Sequence, residues 1–206
     1  MDGSVKVAVI YYSATGTTYR MALAAVEAAE KAGAEVRLRK VRELAPEEAI
    51  RSNSGWHAHR LETQEVMEAQ IDDMDWADVV IFGTPTRYGV MAAQLKQFID
   101  TSGPLWSRGA LVNKVFAAFC STATAHGGQE ATLLSLFNVI YHWGGIVVTP
   151  GYVEPAQFVA GNPYGASHTS NNGEVPPDEV ALAATALTAR RAVDVATALR
   201  RGLVAV

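Results

Sequence analysis

Apolar runs that stop abruptly alternate along this chain with longer stretches in which small and apolar residues recur every three or four positions. The first run, Val5 to Tyr12, is rich in β-branched residues and lacks polar alternation apart from Lys6, which predicts a central parallel strand covered on both faces. Ala22, Ala25, Val26 and Ala29 then fall at helical spacing between Thr17 and Ala32, and Gly33 stands where a C-terminal cap is wanted. From Glu35 to Val41 the pattern alternates, with Val36 and Leu38 opposed to Glu35, Arg37 and Arg39, so an edge strand flanking the first is expected. Asp78 to Gly83 reads as a second buried strand before a helix from about Met91 to Thr101. Lys114 to Cys120 reads as a third, before a helix from about Gln129 to Trp143. Ile146 to Thr149 supplies a fifth strand, and Asp178 to Arg201 a closing Ala/Leu-rich helix.

Two stretches carry weaker patterns. Between Ala45 and Trp76 a short helix after Pro46, a polar stretch from Asn53 to His59 and an acidic helical piece near Glu62 to Gln70 are expected. Pro150 to Pro177 is rich in Gly, Asn, Pro and Ser without periodicity, and a loop of that length in a compact domain is usually functional or mobile.

Composition narrows the setting. The 206 residues are 49% hydrophobic, with no linker dividing two composition regimes, so a single α/β domain spanning 1–206 is expected. The formal charge of -4 and the lack of any basic cluster longer than two leave no nucleic-acid face and no lipid-binding patch. Cys120 is alone, the start Met-Asp-Gly-Ser-Val-Lys has no signal-peptide pattern, and no apolar run approaches membrane-spanning length, so a reducing, cytoplasmic setting without membrane insertion is expected. His57 and His59 are two apart with no third ligand evident, so no metal site is expected.

The chemistry concentrates where the strands end. The first strand runs into Ser13-Ala14-Thr15-Gly16-Thr17-Thr18, the second into Thr84-Pro85-Thr86-Arg87-Tyr88-Gly89, and the third into Ser121-Thr122-Ala123-Thr124-Ala125-His126-Gly127-Gly128. Three buried parallel strands that each release a Ser/Thr/Gly loop toward one edge place a ligand where those loops meet. The first loop enters a helix, so its unpaired N–H groups and the positive end of the helix dipole favour a phosphate. Neither Lys nor Arg lies between Ser13 and Thr18, and both the Walker ending and the GxGxxG fingerprint are absent, which points to a single phosphate held by neutral donors.

These segments resemble the flavodoxin-like proteins and, within them, the WrbA family of NAD(P)H:quinone oxidoreductases. Tyr11-Tyr12-Ser13 with Gly16, Phe82 to Gly89, Leu105-Trp106 with Gly109-Ala110-Leu111, Gly127-Gly128-Gln129-Glu130 and Pro163 to Ala166 carry the likeness, over nearly the whole chain. The resemblance implies a three-layer flavodoxin-like sandwich on a five-stranded parallel sheet of order 2-1-3-4-5. It further implies a homotetramer that binds FMN and moves two electrons from NADH or NADPH to quinones. By position, Ser13, Ala14, Thr15, Gly16, Thr17 and Thr18 would hold the phosphate. Pro85, Thr86, Arg87, Tyr88 and Gly89 would line the isoalloxazine ring, and Ser121, Thr122, Ala123, Thr124, Ala125, His126 and Gly127 would cover its other edge. His142 matches a ring-side histidine and Trp106 a substrate-site tryptophan; a core or interface place is the alternative for His142, and interface packing for Trp106. Trp106, Trp143, Tyr152 and Phe158 are candidates for meeting a neighbouring subunit. The chain departs from the family pattern at Thr15, Val90 and Ala125-His126. A one-electron carrier and a non-enzymatic flavin-binding partner protein are the competing readings; the missing strongly charged docking face argues against the carrier.

Overall fold

The computed structural model describes residues 3–203. Its sheet is built on five parallel segments: β1 (Lys6–Tyr11), β2 (Glu35–Lys40), β3 (Val79–Arg87), β5 (Val115–Thr122) and β6 (Ile146–Val147). They lie in the order β2-β1-β3-β5-β6. A two-residue arm, β4 (Val90–Met91), folds back antiparallel on β3, and β7 (Ala166–Thr169) pairs with the far end of β5. Without the hairpin arm, this is the expected 2-1-3-4-5 order.

Alternation along the strands sends two sets of side chains to opposite faces. Ile10, Phe82, Phe116 and Cys120 pack on one face with Leu95 and Phe98 of α5 (Ala93–Asp100) and with Leu133, Leu136, Phe137 and Ile140 of α7 (Gln129–Trp143). Val7, Val9, Ile81, Val115 and Phe119 pack on the other with α1 (Thr17–Lys31) and α9 (Glu179–Leu203). The contacts of α1 and α9 are dominated by alanines (Ala22, Ala25, Ala29, Ala184, Ala192), so both helices lie close to the sheet and to each other. Among the described residues no helix is long and apolar enough to cross a membrane.

Several expectations are corrected. The polar stretch from Asn53 to His59 is largely helical: α3 (Ser54–Glu62) starts where the Asn53 side chain accepts from the Trp56 N–H at 3.0 Å, following the short α2 (Glu47–Arg51). The acidic piece from Glu62 to Gln70 is not a helix. It runs beside the edge strand, with Lys40 N–H donating to Met67 O at 3.1 Å and Ala69 N–H to Lys40 O at 2.8 Å, and thereby covers backbone that an edge would expose. Helix α4 (Ile71–Trp76) follows, opened by a capping box between Gln70 and Asp73.

The loop expected from Thr84 begins as strand, because β3 continues to Arg87, and α5 starts at Ala93 rather than Met91. The fifth strand is cut to Ile146–Val147. The stretch from Pro150 to Pro177 holds α8 (Pro155–Ala160), then β7, then a single 3-10 turn at Asn171–Gly173. Trp143, a candidate for meeting a neighbour, is packed in the core of its own chain. It is 6% exposed, with its ring 5.5 Å from Phe116 and 6.4 Å from Phe82 between centroids, because the last turn of α7 faces the sheet.

Candidate functional site

At the carboxyl edge of β1, β3 and β5 the three loops enclose a cavity of about 640 Å³, within the range that holds a cofactor. Its walls are Ser13, Ala14, Thr15, Thr17 and Thr18 from the first loop, Pro85 to Tyr88 from the second, and Ser121 to Thr124 with Gly127 from the third. Asn53, Trp56, Ser170, Asn172 and Gly173 complete it. Arg87 is the one ionised side chain in that set; among the described residues no carboxylate or histidine lines the cavity.

The first loop turns at Gly16, whose φ of 96° and ψ of -17° place it in the left-handed region at the N-cap of α1. Having no side chain, Gly16 leaves the first-turn N–H groups of α1 uncapped and available to an anion at the positive end of the dipole. Ser13 Oγ accepts from Gly16 N–H at 3.1 Å and fixes the turn. From behind, the imidazole of His59 supports it: a Cβ built on Gly16 would lie 3.4 Å from Nδ1. That nitrogen also meets Glu62 Oε2 at 3.0 Å, and the ring packs against Tyr19 at 5.3 Å. Burial holds the imidazole below its ordinary pKa, against the opposing pull of Glu62.

Direct bonds tie the loops together. Thr18 Oγ1 and Ser121 Oγ share a buried hydrogen bond of 3.1 Å, so the first and third loops hold each other. Thr86 Oγ1 accepts from Gly89 N–H at 3.2 Å and meets Thr132 Oγ1 at 2.6 Å, locking the second loop onto α7. Gly128, with φ of 86°, lets the two loops touch: an added Cβ would come within 2.9 Å of Gly89 Cα. Gln129 knots the third loop to β7. Its amide donates to Thr122 Oγ1 at 3.0 Å and Thr169 Oγ1 at 3.2 Å, while its carbonyl accepts from Ser167 Oγ at 2.9 Å. At the hairpin tip Tyr88 takes φ of 54° with its side chain fully in solvent, an unusual conformation for an aromatic residue.

Not every expected site residue reaches the cavity. Gly16 and Gly89 shape it from the backbone. Ala125 and His126 sit at the exposed tip of the third loop, because Thr122 Oγ1 at 2.8 Å and Gly127 N–H at 3.1 Å both donate to Thr124 O and turn the tip outward. Trp106 and His142 do meet, with the indole N–H donating to His142 O at 3.2 Å, but they do so at the far end of α7. That helix begins at the cavity and runs 15 residues away from it, a length of about 22 Å. Neither residue lines the cavity of its own chain.

Five lining residues went unmarked in the sequence: Asn53 and Trp56, at and just inside the start of a helix with weak periodicity, and Ser170, Asn172 and Gly173, carried in by the unpredicted β7. The signal for the latter was faint. Asn171 and Asn172, both at positive φ, belong to a residue type that tolerates the left-handed region.

Comparison with known proteins agrees with this geometry. The model of the NADPH-dependent FMN reductase family matches residues 5–159. A protein of Deinococcus radiodurans named NAD(P)H dehydrogenase (quinone) is 47% identical over 172 residues, covering 83% of this chain and 86% of that one. One of the same name from Aromatoleum aromaticum is 40% identical over 205 residues, covering 96% and 99%. Among solved structures, the flavodoxin described as a WrbA-like protein from Agrobacterium tumefaciens superposes with a TM-score of 0.66 at 28% identity, covering 95% of this chain and 99% of the other. The chain therefore belongs to the NADPH-dependent FMN reductase family, among its flavodoxin-like, WrbA-type members.

Proposed function

We propose that this protein is an FMN-dependent NAD(P)H:quinone oxidoreductase that holds its flavin in the three-loop cavity. The observation that carries the reading is the donor set: an uncapped helix start at Gly16, flanked by Ser and Thr hydroxyls, opposite a pocket made by the Thr86 hairpin and the Ser121 loop. Such a set suits one phosphate at one end and a flat polar ring at the other. The names carried by the relatives support the substrates, a nicotinamide nucleotide and a quinone.

When bound in this cavity, FMN would supply the hydride-transfer chemistry between a nicotinamide and a quinone. The chain's own work is positional. The Ser13 to Thr18 loop anchors the phosphate, and the hydrogen bonds among Thr18, Ser121, Thr86 and Thr132 keep the three loops in register around the ring. Backbone N–H groups of the second and third loops would favour negative charge at the edge of a bound ring. No acid–base pair is required, which matches a lining without carboxylate or histidine among the described residues.

The proposal extends to a homotetramer in which Trp106 and His142 serve a neighbouring subunit's ring. Their distance from their own cavity supports this, as do the exposed Leu134 and Tyr141 on α7 and the exposed Val112 a few residues after Trp106. Light scattering should then give four times the 22.0 kDa of one chain. A reducing, cytoplasmic location fits the single, buried thiol of Cys120. The direct assay is NADH oxidation by benzoquinone with protein stripped of flavin. Turnover that appears only on adding FMN supports the reading; turnover without FMN, or none with it, overturns it.

A further inference from the structure

Helix α3 adds to the cavity an aromatic residue that none of the loop motifs marks. Trp56 is half-buried between the 640 Å³ cavity and a second, smaller compartment of about 260 Å³, and it lines both. Its indole N–H donates to Glu43 Oε2 at 3.1 Å. The same oxygen accepts from Tyr12 Oη at 2.9 Å, and Oε1 accepts from Gln94 Nε2 at 2.8 Å and from the N–H groups of Leu44 and Ala45 at 2.8 and 2.9 Å. Gln94 Nε2 also donates to Tyr12 Oη at 3.0 Å, closing the network. One carboxylate thus ties the end of β1, the segment after β2, the start of α5 and α3 together. Burial pushes Glu43 toward protonation, but the donors around it more than offset this and hold it below the usual carboxylate range, so the hub stays ionised.

With its only side-chain donor committed to Glu43, Trp56 offers the cavity apolar aromatic surface rather than a hydrogen bond. The phosphate and ribityl parts of FMN want hydrogen-bond donors and acceptors; the isoalloxazine ring is the part suited to an aromatic face. We propose that Trp56 is a flavin-contact residue that packs against the isoalloxazine system, and that Glu43 is the positioning residue that fixes its indole. The inference rests on FMN occupying this cavity.

The test uses the full chain with Trp56→Phe, Trp56→Ala and Glu43→Gln, each first shown by melting to be folded, and titrates FMN and riboflavin by flavin emission. A ring contact predicts that Trp56→Ala weakens both ligands by the same factor, about tenfold, by analogy with aromatic–base stacking. Trp56→Phe should leave bound FMN several-fold brighter, because phenylalanine lacks the electron-rich indole that quenches a flavin it touches. Glu43→Gln should weaken FMN, and the Glu43→Gln/Trp56→Phe double variant should bind no worse than Trp56→Phe alone. Emission and affinity within twofold of wild type in both Trp56 variants would overturn the contact, as would a loss confined to FMN. Additive losses in the double variant would overturn the role of Glu43. If wild-type protein takes up FMN, any of these failures is specific to this inference; if it does not, the cofactor assignment falls with it.

Discussion

Gly16 concentrates the demands of the site in one residue. Its positive φ disfavours any side chain, a Cβ there would already touch the His59 ring at 3.4 Å, and the uncapped helix start lies in front of it. Gly16→Val should cost on the order of 1–3 kcal/mol in backbone strain alone. It should weaken FMN at least tenfold while changing riboflavin little, since the loop's claim is on the phosphate. Parallel titrations of the two flavins check this. His59 itself predicts a pH effect. Because burial lowers its pKa, the unfolded chain binds the proton first as pH falls through the ordinary histidine range, so folding stability declines from about pH 7.5 to 5.5. Lys40 and Arg20 reinforce that sign, and Glu62 opposes it. His59→Gln should narrow the difference in melting temperature between those two pH values.

At the scale of elements, α7 does two jobs. Its start closes the cavity through Gly128 and Thr132, and its end closes the core through Trp143. Trp143→Ala should destabilise the fold by about 3–5 kcal/mol in denaturant unfolding, the cost of emptying a packed aromatic site. The three long buried strands, their Ser/Thr/Gly loops and the helices that follow them were legible in the sequence, because continuous β-branched runs ending in small hydroxyl residues have few other solutions. What escaped was short or polar. Helix α3 opens Ser-Gly-Trp-His and is held by a cap, a hub carboxylate and a histidine rather than by an apolar stripe. Strand β7 is Ala-Ser-His-Thr, which becomes a strand only because β5 offers it a free edge. The separation of Trp106 and His142 from the loops follows from how far α7 runs, which no local pattern announces.

For the molecule as a whole, the balance of charge speaks for an enzyme that admits small substrates rather than for a carrier that docks on large ones. The net charge is only -4, and among the described residues Arg87 is the one charged side chain lining the cavity. A two-electron reductase and a one-electron carrier share this fold, so the fold cannot divide them; the fate of electrons from the nicotinamide can. The deciding measurement is an anaerobic titration of the FMN-loaded protein with NADH, following the visible flavin band and then adding benzoquinone. Direct bleaching at one NADH per flavin, with the band restored by the quinone, is the predicted result. A flavin band left unchanged by NADH would contradict the account and favour the carrier.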